Sequence, residues 1–132
     1  MSEENIEQVR RGFEEWQRTR KLDFDLLHAD VEWILHGTPA GDASYRGPDG
    51  VRRWFAEQED AWSDQWWEIE DVRETPDGRV LAFVVAHAVG RGSGVAVTLP
   101  LANIWTIEDG RVKRFEMFID RAEALKAAGL SE

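Results

Sequence analysis

Hydrophobic residues recur along this chain at two spacings, one typical of helices and one typical of strands. Apolar positions three or four residues apart predict an amphipathic helix from Ser2 to about Arg20, with an inner face of Ile6, Val9, Phe13 and Trp16. A short second helix is predicted over 24–28. A third is predicted from Pro48 to about Ser63, because proline suits the first turn of a helix.

Alternating apolar and polar residues predict strands in much of the remaining sequence. The predicted strands cover 31–36, 65–74 and 79–89, followed by the two arms of a hairpin over 95–120. Asp109-Gly110 lies between the two arms, and Asp-Gly between alternating runs is a strong hairpin signal.

The breaks between these elements are also marked. Gly37 to Gly47 is rich in glycine and is predicted to be a loop. Asp120 with Glu123 three residues later predicts a closing helix that runs to Ala128. The order α-α-β-α-β-β-β-β-α indicates one α+β domain over 1–132, with helices packed on one face of an antiparallel sheet.

Alternation also predicts which strand residues point inward. In the hairpin the predicted inward set is Leu99, Leu101, Asn103, Trp105, Ile107, Phe115, Met117 and Ile119. On the preceding strand Phe83, Val85 and His87 are predicted inward. The predicted outward set is Val80, Ala82, Val84 and Ala86, together with Trp66 and Phe118. Because this outer face is so apolar, we predict a homodimer in which the two copies contact each other through it.

Composition and charge exclude several classes of function. A formal net charge of -10 argues against nucleic-acid binding, which needs clustered cations. The absence of cysteine excludes disulfides and thiolate chemistry. No apolar run approaches the ~20 residues of a membrane span, and no basic-then-apolar leader is visible, so we expect a cytoplasmic protein. The three histidines lack metal-ligand spacing and no phosphate-binding motif occurs, so we expect no metal and no cofactor.

Several short segments resemble the SnoaL-like branch of the NTF2-like superfamily, in a subgroup that is usually uncharacterised. They are Asp30-Val31-Glu32-Trp33, Tyr45-Arg46-Gly47, Gly90-Arg91-Gly92-Ser93-Gly94, Ile104-Trp105-Thr106 before Asp109-Gly110, and Asp120-Arg121-Ala122-Glu123-Ala124-Leu125. The resemblance covers nearly the whole chain. It implies a cone in which a curved antiparallel sheet wraps around the N-terminal helices and encloses an apolar pocket. The residues predicted to line that pocket are Phe13, Trp16, Trp33, Tyr45, Trp54, Phe55, Phe83, His87, Asn103, Trp105 and Met117.

The catalytic positions of two groups of relatives carry other residues here. By element order, the base, tyrosine and acid of ketosteroid isomerase-like members fall on Trp33, Phe13 and Asn103. The tyrosine, asparagine and aspartate of limonene epoxide hydrolase-like members fall on Trp33, Leu35 and Met117. Tryptophan, leucine and methionine do not take up a proton, so neither mechanism can run in its usual form.

Three functions therefore compete at this point. The first is a binding protein for a small apolar ligand, cyclic or polyketide-like. The second is an isomerase or cyclase that uses His87 or Tyr45 for proton transfer and Asn103 as a hydrogen-bond donor to an oxyanion. The third is a dimeric interaction module with a vestigial pocket.

Overall fold

The computed structural model describes residues 2–38 and 41–130, so residues 39 and 40 of the predicted loop lie outside the described part. The helices are α1 (Ser2–Thr19), a 3-10 helix (Phe24–Leu26), α2 (Gly47–Ala61) and α3 (Arg121–Ala127). The strands are β1 (Leu27–His36), β2 (Ala43–Arg46), β3 (Trp62–Glu74), β4 (Val80–Gly90), β5 (Ala96–Glu108) and β6 (Arg111–Phe118).

The six strands form one sheet in the order β2-β1-β6-β5-β4-β3. All neighbouring strands run antiparallel except β1 and β6, which are parallel, so the sheet is mixed rather than antiparallel as predicted. Strands β3 to β6 form an antiparallel meander, and this sets the direction of β6. Strand β6 then pairs with the edge of β1 that β2 leaves free, so β1 and β6 run parallel. The α+β class and the cone-like wrapping of the sheet around helices are confirmed.

Strand β2 lies inside the segment predicted as a loop. It has four residues, pairs with β1 through Tyr45 opposite Trp33, and is flanked by Gly41 and Gly47, both with positive φ. A short edge strand between two glycines carries too few alternating positions for the pattern to show.

The two faces of the sheet are covered by different helices. Helices α1 and α2 pack on the inner face, where Val31, Val51, Trp33 and Trp54 are buried. Helix α3 packs on part of the outer face, and the cluster there consists of Leu81, Phe83, Ala102, Ile104, Phe118, Ala124, Leu125 and Ala128. The Asp120 carboxylate caps α3 by accepting from the Ala122 N–H at 2.8 Å.

The register between β4 and β5 reverses the predicted faces of β4. Val80 lies opposite Trp105 and Ala82 lies opposite Asn103, so these β4 residues point inward and the alternate set, including Phe83 and His87, points outward. The predicted orientation was wrong because β4 is almost continuously apolar, and alternation cannot distinguish the faces of such a strand.

Candidate functional site

An apolar cavity of about 90 Å³ lies between α1, α2, the segment 22–27 and the inner face of the sheet. Of the residues predicted for the pocket, its wall contains Phe13, Trp16, Trp33, Trp54, Phe55, Asn103, Trp105 and Met117. The wall also contains residues that were not predicted to line the pocket: Gln8, Val9, Gly12, Leu22, Asp23, Leu26, Leu27, Trp67, Ile107, Val112 and Phe115.

Trp33 is the centre of the aromatic wall. Its ring stacks on Phe115, with 4.1 Å between centroids, and meets the Trp105 ring edge-on at 6.1 Å. The α2 side chains Trp54 and Phe55 lie 5.8 and 5.9 Å from the same ring. Strands β1, β6 and β5 place these rings in one row, because Trp33 pairs with Phe115 and Phe115 pairs with Trp105.

Three buried polar atoms of the described cavity wall have no hydrogen-bond partner. They are the indole nitrogens Nε1 of Trp33 and Trp105 and the amide oxygen Oδ1 of Asn103. Trp33 and Asn103 are only 3% and 4% exposed, so both side chains are buried in the cavity wall. An unpartnered buried donor or acceptor costs roughly 1–3 kcal/mol, so a bound molecule that supplies the missing partners would stabilise the site. By contrast, Trp16 Nε1 donates to the Gln65 carbonyl at 2.8 Å.

The described wall is exposed to solvent at Gly12, Asp23 and Leu26. Asp23 is also the one titratable residue of this wall, and its carboxylate caps the 3-10 helix by accepting from the Asp25 N–H at 3.0 Å. No periodic signal in the sequence marks this segment, because its 3-10 helix, Phe24–Leu26, has only three residues.

Tyr45 does not line the cavity although it pairs with Trp33. Its hydroxyl donates to the Glu57 carboxylate at 2.5 Å, and the Arg53 guanidinium lies 5.1 Å from the centre of its ring. The hydrogen bond to Glu57 raises the pKa of Tyr45 above its ordinary value, with desolvation adding to the shift. Tyr45 therefore joins β2 to α2 rather than presenting a hydroxyl to the cavity.

His87 and Phe83 lie on the outer face of β4, away from the cavity. The His87 ring stacks on Trp66 at 5.1 Å, and its Nε2 pairs with the Glu68 carboxylate. Its Nδ1 lies 3.4 Å from the Thr98 hydroxyl. The Phe83 ring packs under helix α3. Both positions follow from the reversed phase of β4, and the prediction that His87 and Phe83 point inward is corrected accordingly.

His36 belongs to a separate polar cluster on the outer face. Its Nδ1 lies 3.2 Å from the Asp42 carboxylate and its Nε2 lies 3.2 Å from that of the buried Glu116. The Gly37 N–H, and then His36, lower the pKa of Asp42 by hydrogen bonding. Within residues 2–38 and 41–130, no group of three or more His, Cys, Asp or Glu side chains is arranged to hold a metal ion. No helix in the same ranges is long and apolar enough to cross a bilayer.

Comparison with known proteins identifies one family. Residues 9–115 match the family model described as the SnoaL-like domain. No curated protein matches the chain.

Solved structures share the fold at low sequence identity. An NTF2-like protein of unknown function from Burkholderia pseudomallei has a TM-score of 0.74 and 22% identity, with 92% of this chain and 95% of that chain covered. TerC, co-crystallised with polyporic acid, has a TM-score of 0.71 and 22% identity over 95% and 98% of the two chains. A putative SnoaL-like polyketide cyclase from Jannaschia sp. CCS1 has a TM-score of 0.69 and 19% identity over 97% and 93%.

Proposed function

The chain belongs to the SnoaL-like domain family, and on that premise we propose that it binds a small, uncharged cyclic molecule in the cavity. The single observation that carries this proposal is the set of unpartnered atoms Trp33 Nε1, Trp105 Nε1 and Asn103 Oδ1 in a mostly apolar wall. A binding site with apolar walls and a few polar groups that fix orientation is typical of small-molecule pockets.

The cavity limits the size and charge of the ligand. Its volume of about 90 Å³ is below the roughly 150 Å³ of an apolar cavity that accepts benzene, so it encloses at most one small ring. A larger, polyketide-like ligand would have to extend out between Gly12 and Leu26. A charged group in the interior would be left without a counter-ion, because Asp23, the titratable residue of the described wall, lies at its exposed edge.

The unpartnered polar atoms indicate which functional group the proposed ligand carries on its ring. The two indole N–H groups need an acceptor, and the Asn103 oxygen needs a donor. A hydroxyl group supplies both functions, so a hydroxylated ring meets these requirements better than a hydrocarbon ring.

The alternative function, an isomerase or cyclase, has lost two of its proposed residues. His87 points away from the cavity and the Tyr45 hydroxyl is bonded to Glu57, so neither is placed to exchange a proton with a bound molecule. Proton transfer in this cavity would instead depend on Asp23. This second candidate predicts that Asp23→Asn abolishes turnover while ligand binding persists.

The homodimer is proposed on a revised surface. The row Val80, Ala82, Val84 and Ala86 faces inward, and helix α3 covers Leu81 and Phe83. Helix α3 does not cover the rest of the outer face, where Trp66, Val85, His87 and Val89 are half-buried. We propose that a second copy covers this part of the sheet. If the cavity proves to bind nothing, such pairing would favour the third function, an interaction module with a vestigial pocket.

The test of the binding proposal uses the indole N–H signals in a proton–nitrogen correlation spectrum. The chain has seven tryptophans, which give separate indole signals assignable with single Trp→Phe variants. On titration with phenol, we expect the Trp33 and Trp105 signals to move downfield because their N–H groups acquire an acceptor. The Trp66 signal is the internal control, since Trp66 stacks on His87 on the outer face of the sheet, away from the cavity. Saturating phenol that leaves the Trp33 and Trp105 signals in place would refute the proposal.

A further inference from the structure

Gly12 lies in the interior of α1, where a glycine is unfavourable. Glycine destabilises a helix relative to alanine because its backbone loses more conformational freedom. The usual structural reasons for accepting this cost do not apply here. Gly12 is absent from the positions with positive φ, and a Cβ atom built on it would meet nothing within 4 Å. Neither backbone conformation nor close packing therefore requires glycine at this position.

The location of Gly12 offers a different reason. Gly12 belongs to the cavity wall and is exposed to solvent, as are Asp23 and Leu26 on the facing segment. A wall residue that also contacts solvent lies where the cavity opens. These exposed wall residues favour an opening between α1, at Gly12, and the segment that carries Asp23 and Leu26.

We propose that Gly12 keeps this opening wide enough for the ligand to pass, and so determines which molecules reach the cavity. This inference rests on the proposed binding function. A side chain at position 12 has free space around its Cβ, so it can be accommodated without displacing the core and would project at the opening. Its size then sets the width of the passage.

A residue that narrows the opening changes the rate constants of binding in a different way from a residue that contacts the bound ligand. Narrowing the passage hinders the ligand equally on the way in and on the way out. The association and dissociation rate constants therefore fall by the same factor, and their ratio, the Kd, stays the same. Loss of a binding contact instead acts mainly on the dissociation rate and raises the Kd.

The experiment measures exchange of 4-fluorophenol by fluorine NMR in the wild type, in Gly12→Leu and in Glu14→Leu. We expect Gly12→Leu to lower both rate constants about tenfold or more at an unchanged Kd. Glu14 is exposed on the same helix and does not belong to the cavity wall, so Glu14→Leu controls for added apolar surface and should leave both constants unchanged. Thermal unfolding verifies that each variant is folded.

Two outcomes would contradict the proposed role of Gly12 at the opening without contradicting the binding function. Unchanged rate constants in Gly12→Leu would mean that ligands pass elsewhere. A raised Kd without slower association would mean that position 12 is part of the binding surface.

Failure of the binding function is read separately. If the wild type does not bind 4-fluorophenol, the passage is tested in Gly12→Cys, which carries a unique thiol because the chain has no cysteine. The thiol is labelled with benzyl methanethiosulfonate, and a crystal structure locates the ring. A benzyl ring inside the cavity supports an open passage at Gly12, and a ring lying in solvent overturns it.

Discussion

Asn103 on β5 and Met117 on β6 are direct cross-strand partners, and both side chains belong to the cavity wall. The family resemblance matches these two positions to the acid of ketosteroid isomerase-like members and the aspartate of limonene epoxide hydrolase-like members. Here the pair is an amide beside a thioether, so this part of the wall presents no carboxyl group. The amide oxygen has no hydrogen-bond partner, so under the proposed function this pair takes part in ligand binding rather than in proton transfer.

Replacing Asn103 by leucine should stabilise the protein and weaken binding. Leucine has the same branched arrangement of side-chain heavy atoms, its extra volume can extend into the cavity, and it removes a buried oxygen that lacks a partner, so we expect the free energy of unfolding to rise by about 1 kcal/mol. The affinity for phenol should fall about tenfold, while that for toluene should hardly change. Urea unfolding and calorimetric titration measure the two effects.

Met117→Leu is the matched control for that variant, because it changes the neighbouring wall position without altering polarity. It should affect phenol and toluene alike. A loss of stability in Asn103→Leu would show that the amide is satisfied in the folded protein, contrary to this description of the site.

His87→Gln should leave ligand binding unchanged. His87 pairs with Glu68 and stacks on Trp66 on the face of the sheet opposite to the cavity. The phenol affinity of this variant should therefore match that of the wild type at every point between about pH 5 and 8, the range in which histidines change charge. A divergence between the two profiles within this range would return His87 to the list of candidate site residues.

The strands that line the site differ in how well the sequence predicts them. The β5–β6 hairpin was placed well, because Asp109-Gly110 fixes the turn and polar residues alternate with apolar ones on β6. The faces of β4 were reversed, because its continuous apolar run looks the same in either phase. The register between β4 and β5 decides the phase, and its pairs, such as Val80 with Trp105, join residues that are far apart in the sequence.

The edge of the cavity was the least predictable part. Leu26 lies in a 3-10 helix of three residues, and Asp23 directly precedes that helix. A helix this short has too few residues for periodicity to assign a face. No pattern in the sequence distinguishes Gly12. Its place in the cavity wall is visible only in the structure, where α1 and the segment 22–26 line the same cavity.

The carboxylate of Asp77 should support folding at mildly acidic pH. Hydrogen bonds from the Arg79 guanidinium, and then from the Thr75 hydroxyl, lower the pKa of Asp77 from 3.8 to about 2. A carboxyl with a lowered pKa stabilises the fold fully above its unfolded value, and this contribution is lost as the pH falls from about 4 to about 2. The Asp77 side chain is 61% exposed and screened by solvent, so the effect should stay below about 1 kcal/mol.

The measurement compares the wild type with Asp77→Asn by urea unfolding across that acidic range. The difference in unfolding free energy should shrink steadily as the pH falls through it. A difference that is constant from about pH 5 to 2 would mean that the charge of Asp77 does not contribute.

The proposed dimer predicts a light-scattering mass of twice 15.1 kDa. Val85 lies on the part of the outer face that α3 leaves uncovered, so Val85→Glu should bury a charge in the interface and shift the mass to that of one chain. Ala56→Glu, on the exposed side of α2, is the control and should leave the mass unchanged. A wild-type mass of 15.1 kDa at the highest concentration tested would contradict the dimer.

Met117→Asp would restore a carboxyl at the position that matches the hydrolase-like aspartate, and we expect it to destabilise the fold without creating hydrolysis. The apolar wall around position 117 should raise the pKa of the new carboxyl by desolvation, so that the folded protein holds it protonated. The unfolded chain ionises above about pH 4, so the stability of the variant relative to the wild type should fall as the pH rises from there towards neutrality. Met117→Asn is the control, because it introduces polarity that does not titrate and should cost the same at each pH. Epoxide hydrolysis should remain absent, since Trp33 and Leu35 stand where those relatives carry the tyrosine and asparagine that position water. Urea unfolding of both variants between about pH 4 and 8 measures the trend, and an equal penalty for Met117→Asp at all pH values would mean that this position is open to solvent.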